Sequence, residues 1–156
     1  MLADRETFQR YCPLRSAALT QQLGDAFEPV SVYLAPAEPD GAPPEAGVRD
    51  LAVCHYRSAR EQWLFTATYI RETPAESAQR TFEHDREMWS AFLVPPENGA
   101  GADDAFVMYQ DYPGGGYMTV RFVQRDVRVE YLMFGATPDE RAEAMRSLPR
   151  PDAPSL

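Results

Sequence analysis

GYMTVRFVQRDVRVEYLMF, residues 116–134, decides the fold. Apolar and polar residues alternate on both sides of Arg125-Asp126, which is the signature of two half-buried strands. With a two-residue turn at Arg125-Asp126, Gln124 pairs with Val127. Counting back, Phe122 then faces Val129, Val120 faces Tyr131 and Met118 faces Met133. All fall on one face, which must be the buried one, because a one-residue slip would set apolar against polar. On the opposite face Arg121 meets Glu130, a favourable cross-strand charge pair. Arg-Asp is not a favoured turn dipeptide, so a longer loop with a shifted register is the alternative.

Working outward, residues 104–112 form another strand, joined to residues 116–124 through Gly114-Gly115-Gly116. A glycine-rich loop can cradle phosphate. This one lies between strands, with no lysine and no helix start after it, so it reads as a turn. Tyr109, Tyr112 and Tyr117 bracket it. Tyrosines on a glycine-rich rim can grip a small ligand or a partner, and they are the candidate binding residues. Ordinary core and edge packing is the competing explanation.

Upstream, Thr73-Pro74-Ala75-Glu76 reads as a helix start, with Thr73 as cap, Pro74 in the first turn and Glu76 completing a capping box. That helix runs to about Phe92, with Ala75, Ala78, Phe82, Trp89 and Phe92 as its apolar stripe, and Pro95-Pro96 ends it. Residues 97–102 form a glycine-rich loop. Residues 48–57 and 63–71 are strands joined by a polar connection at 58–62. Trp63, Phe65, Ala67 and Tyr69 share one face of the second. Residues 30–34 form a further strand. Pro36, Pro39, Pro43 and Pro44 make 35–47 a long loop. Leu14, Ala18, Leu19 and Leu23 recur at helical spacing after Pro13, and Gly24 stops that helix. Residues 5–11 are a linker or a short first helix. Thr137-Pro138-Asp139-Glu140 repeats the capping pattern before a last helix that ends near Leu148, and Pro149, Pro151 and Pro154 extend the tail.

The order is α-β-β-β-α-β-β-β-α. The fold class is α+β, an antiparallel sheet with helices packed on it. The 156 residues suit a single domain, with 1–10 and 149–156 as flexible ends. Hydrophobic residues make up 44% of the chain, enough for a core. All fifteen basic residues are arginine, and the net charge of −9 argues against a nucleic-acid or anionic-membrane surface. No apolar run approaches the ~20 residues that span a bilayer. The first residues lack the apolar stretch of a signal peptide. Either the chain is cytosolic, or an export signal or membrane anchor precedes Met1.

Cys12 opens a helix signal and Cys54 lies late in a strand signal. That placement suits a staple between two elements, with two free thiols as the alternative. A staple places the domain in an oxidising compartment. His55, beside Cys54, can form a Cys-His nucleophilic pair only if the thiol is free. His84 and Glu87 have the spacing of two metal ligands on a helix face, but no third ligand is evident, and a solvated face accounts for them. No Ser/His/Asp arrangement and no carboxylate pair is recognisable. No cofactor is implied.

Three short motifs carry a resemblance across residues 11–148. They are Cys12 opening a helix that ends at Leu23-Gly24, the Cys54-His55-Tyr56 run, and Asp103-Asp104-Ala105-Phe106 opening the second half of the sheet. In these the chain resembles a family of actinobacterial secreted lipoproteins of uncharacterised function, and the PknH-type extracellular sensor domain. The resemblance implies an extracytoplasmic domain, a disulfide joining Cys12 to Cys54, and sensing of a small molecule or protein. The chain departs from the family in lacking a signal peptide and a lipid-accepting cysteine at its start, so membrane attachment would need an anchor outside residues 1–156. The expected function is therefore a non-catalytic ligand-binding or sensor domain. A small enzyme acting on a hydrophobic substrate, or a partner-binding or inhibitory module, are the alternatives.

Overall fold

The computed structural model describes residues 5–35, 48–59, 64–94, 105–113, 115–135 and 138–156, without the side chains of 48, 49, 112 and 138–141. The elements are α1 (Arg5–Tyr11), α2 (Ser16–Leu23), β1 (Phe27–Ala35), β2 (Val48–Ser58), β3 (Leu64–Glu72), α3 (Glu76–Met88), a 3₁₀ turn (Ser90–Phe92), β4 (Ala105–Tyr112), β5 (Gly115–Gln124), β6 (Val127–Phe134) and α4 (Pro138–Arg146). The fold is α+β. The six strands form one antiparallel sheet in the order β1-β2-β3-β6-β5-β4. Each half of the chain supplies a three-stranded meander, and the two meet where β3 pairs with β6.

The β5–β6 hairpin has the two-residue turn. Gln124 pairs with Val127, Phe122 with Val129, Val120 with Tyr131 and Met118 with Met133. Phe122 and Tyr131 are buried. Arg121 pairs with Glu130, and their side chains form an ion pair at 3.0 Å. The turn is made possible by Arg125, which adopts φ +58°, an uncommon conformation for a non-glycine residue.

Alternation gives the sheet two different faces. One carries Ala52, Cys54, Tyr56, Phe65, Ala67, Tyr69, Val129 and Tyr131, all buried, and packs against α1, α2 and α4 through Phe8, Leu19, Leu23, Ala142 and Met145. A chain of rings runs through this core: Phe8 to Tyr56 at 5.4 Å, Tyr56 to Phe65 at 5.8 Å, Phe65 to Tyr131 at 5.7 Å and Tyr131 to Phe122 at 5.3 Å. These near-perpendicular or tilted pairs add to what burial alone contributes.

The other face holds α3 alone among the helices described. Phe82 packs on Phe106, with ring centroids 5.2 Å apart, and on Met108, with Trp89 and Leu93 alongside. Beneath the helix runs an alternating line of charge. Glu72 pairs with Arg128, Arg128 with Asp85 at 3.5 Å, Asp85 with Arg121 at 3.4 Å, and Arg121 with Glu130. Thr81 also donates to the Glu72 carboxylate at 3.1 Å. Each buried carboxylate thus meets a cation, which burial demands.

Several element ends differ from the sequence reading. Residues 5–11 form a short first helix and not a linker, while α2 begins only at Ser16, three residues past Pro13. Gly24 does end α2, at φ +75° with its N–H on the Thr20 carbonyl, the left-handed cap that glycine favours. The capping box at Thr73-Pro74-Ala75-Glu76 does not form. The Thr73–Pro74 peptide is cis, Ala75 is the cap residue without a side-chain cap bond, and α3 starts at Glu76. It ends at Met88, so Phe92 falls in the 3₁₀ turn and is 43% exposed. At the chain ends, Arg5–Tyr11 is helical with Phe8 buried, and 149–156 is an extended segment in contact with the sheet. Of the loop expected at 35–47, Ala35 belongs to β1; residues 36–47, the connection at 60–62, Trp63, Pro95-Pro96, the glycine-rich loop at 97–102, Asp103-Asp104, Gly114 and Thr137 lie outside the described residues.

Candidate functional site

Cys12 and Cys54 are joined by a disulfide, with Cα atoms 5.9 Å apart. Two residues further along each segment the arrangement repeats. The Tyr56 hydroxyl donates to the Leu14 carbonyl at 2.6 Å. Residues 54 and 56 point the same way because a strand alternates, so one covalent and one polar bond fix the α1–α2 connection to β2. With Cys54 oxidised there is no thiol for His55 to activate, and His55 points to the opposite face, aligned with Ser31 and Thr66. His84 and Glu87 are exposed on α3, and no group of three or more potential ligands that could hold a metal occurs among the described residues.

The three tyrosines around the triple glycine are not brought to one surface. Tyr109 is opposite Met118 and Tyr117 is opposite Gln110, so the two side chains leave the sheet on opposite faces. Tyr109 lies on the helix-covered face, over Gly116. Tyr117 lies on the α3 face, where its hydroxyl donates to the Gln110 carboxamide oxygen and its ring meets Phe134 edge-on at 5.8 Å. The Tyr112 backbone pairs with Gly115, and its side chain is outside the described residues.

Tyr117 belongs instead to a surface that the strands build together. α3 lies over β5, β6 and the Glu72 end of β3, and none of the described helices packs on the β1 and β2 part of that face. Across this open half, Tyr33 aligns with Val53 and Thr68. Ser31, His55, Thr66 and Leu132 form the next row, and Phe134 stands beside Tyr117. Tyr33 is 58% exposed, Phe134 43% and Leu64 36%, while Val53, His55, Thr66, Thr68 and Leu132 are half-buried. Arg57 and Glu28 pair at 2.9 Å at its margin. The patch offers apolar and aromatic contact with threonine hydroxyls between, and His55 as its one imidazole.

Strand alternation would have revealed the face that carries this patch: residues that share parity with His55 in β2 or with Tyr117 in β5 point to it, Arg121 beneath α3 among them. What sequence alone does not reveal is that α3 stops short of it.

The most perturbed ionisable groups lie elsewhere. Burial pushes the hydroxyls of Tyr56, Tyr69 and Tyr131 well above the usual tyrosine range, which keeps them neutral. They sit within the core and serve packing. No family model, curated protein or solved structure matches this chain.

Proposed function

We propose that the protein is an extracytoplasmic, non-catalytic binding or sensor domain that holds a protein partner on the open half of its sheet. The observation that carries this reading is the asymmetry of the sheet. One face is filled by three helices, while the other leaves Tyr33, Leu64 and Phe134 in solvent beside Thr66, Thr68 and His55. Aromatic side chains are enriched at protein interfaces, and a contiguous apolar patch on a soluble domain is a recurrent mark of one. A pleated, ridged surface suits a protein face better than a small molecule, which is usually enclosed in a concave site. The Cys12–Cys54 disulfide supports the compartment, because cytosolic thiol reductants keep such pairs reduced.

The test is retention of envelope proteins from the source cells on immobilised protein. Wild type should retain a partner that Tyr33→Asp and Phe134→Asp both lose, with melting temperatures unchanged. Equal retention by wild type and variants would remove the open face as the binding surface. For the compartment, protein isolated from its own cells and alkylated without reduction should carry no modified cysteine.

A further inference from the structure

The segment 149–156 belongs to no helix or strand, yet side chains of the sheet hold it by its main chain. Tyr131 donates its hydroxyl proton to the Pro149 carbonyl at 2.9 Å. Gln124 takes the segment at three points: its amide nitrogen donates to the carbonyls of Arg150 and Pro151, both at 3.1 Å, and its oxygen accepts from the Ala153 N–H at 2.9 Å. Arg71 donates to the Leu156 carbonyl. Side-chain contacts add register: the Arg150 guanidinium lies 4.6 Å above the Phe122 ring, and Ala153 and Leu156 pack against the core.

These contacts are how extended peptides are recognised. Main-chain hydrogen bonds hold the segment, and a few side-chain anchors set its position. Prolines at 149, 151 and 154 restrict φ and stiffen the segment before it docks, which lowers the cost of ordering it. The segment does not fill its groove either. A cavity of about 230 Å³ remains between it and the β5–β6 turn, bordered by Arg71, Arg125, Asp126, Asp152 and Ser155.

We propose that this groove is a peptide-recognition site for extended, proline-containing segments, and that its second occupant is the 149–156 segment of another copy of the chain. The fit is identical in cis and in trans, as in any exchange of an element between identical protomers. In cis the tethered segment competes at an effective concentration of millimolar order, so the isolated protein keeps its own segment bound.

The probe is a fluorescent peptide of residues 148–156, LPRPDAPSL, added to the full chain. Arg150→Ala/Pro151→Gly weakens the resident segment and leaves the groove intact. This variant should bind the peptide at least about tenfold more tightly than wild type, because the cis competitor is weakened. Adding Gln124→Ala should abolish that gain. A 1:1 mixture of Arg150→Ala/Pro151→Gly with Gln124→Ala supplies one sound groove and one sound segment. It should form a heterodimer by light scattering, while each variant alone stays monomeric.

Absence of peptide binding by the folded tail variant, or binding indifferent to Gln124, would overturn the proposal. Hydrogen exchange on the unaltered protein gives an arm that needs no variant. The Ala153 amide should exchange much faster than the paired amides of β5 and β6. If it is protected as long as they are, the segment is a fixed part of the core and the groove has no second occupant.

Discussion

The Tyr109 ring lies across Gly116, so close that a Cβ at 116 would come within 2.2 Å of the phenolic oxygen and 2.6 Å of the ring carbon that bears it. The two residues are diagonal neighbours on adjacent strands, where an aromatic ring can cover the bare backbone of a glycine. The glycine therefore makes room for the ring. Gly116→Ala should cost about 1–3 kcal/mol, in the range of overpacked sites. In a Tyr109→Ala background the same change should cost much less. Urea unfolding of the four proteins of this cycle measures the coupling. Equal costs in both backgrounds would mean the ring swings aside freely.

The disulfide closes a loop between residues 42 positions apart. On the chain-entropy argument, cross-linking a loop of this length stabilises by about 4 kcal/mol. Cys12→Ser/Cys54→Ser should lower the urea midpoint correspondingly, and reduction of wild type should reproduce the effect. A variant that unfolds at the wild-type midpoint would show that the Tyr56–Leu14 bond and the packing of Phe8 suffice to hold the α1–α2 segment.

Glu72 is buried and pairs with Arg128 beneath α3. Arg128→Leu leaves that carboxylate with the Thr81 hydroxyl but without its cation, a change expected to cost about 3–5 kcal/mol. Removing both charges in Arg128→Leu/Glu72→Leu should restore most of the loss, since a well-packed apolar pair often replaces a buried ion pair at little cost. Chemical denaturation of the single and double variants decides. A double variant as unstable as the single one would assign the loss to packing.

The neutral core tyrosines fix the sign of the alkaline response. Burial raises the pKa of Tyr56, Tyr69 and Tyr131 in the folded state and so keeps them un-ionised, whereas the unfolded chain ionises near pH ~10. Above that pH the unfolded state binds fewer protons, so stability falls as pH rises, by about 1.4 kcal/mol per pH unit for each such tyrosine. Below it the contribution is constant. Tyr56→Phe should cost about 1 kcal/mol at neutral pH through loss of the bond to Leu14, and should make the alkaline slope shallower. Denaturation curves between pH 8 and 11 (roughly one unit either side of the tyrosine value), with phenolate absorbance recorded in parallel, test both parts. An unchanged slope would mean Tyr56 ionises within the fold.

The strands were legible because their period of two admits only one register once one face must be buried. The Phe122–Val129 and Val120–Tyr131 pairs and the Arg121–Glu130 bridge all follow from that and from a two-residue turn. The candidate site was less so. Whether Tyr109 and Tyr117 share a face depends on which of three consecutive glycines turn the chain, and composition does not say. Nor does a capping-box sequence at Thr73 compel a cap, since the helix that follows starts only at Glu76. The docking of 149–156 was hidden for a further reason. It is held by Gln124 on main-chain atoms, which every residue possesses, so no side-chain pattern announces it.

The last strand to be synthesised, β6, lies at the middle of the sheet, between β3 and β5. A growing polypeptide that has not yet reached Val127 can pair β3 with β2, but the other edge of β3 has no partner and the β4–β5 hairpin has nothing to join. The two halves can join into one sheet only after translation of about the last fifth of the chain has begun. Until then the inner edges of β3 and β5 stay unpaired, open to chaperones and to neighbouring chains alike.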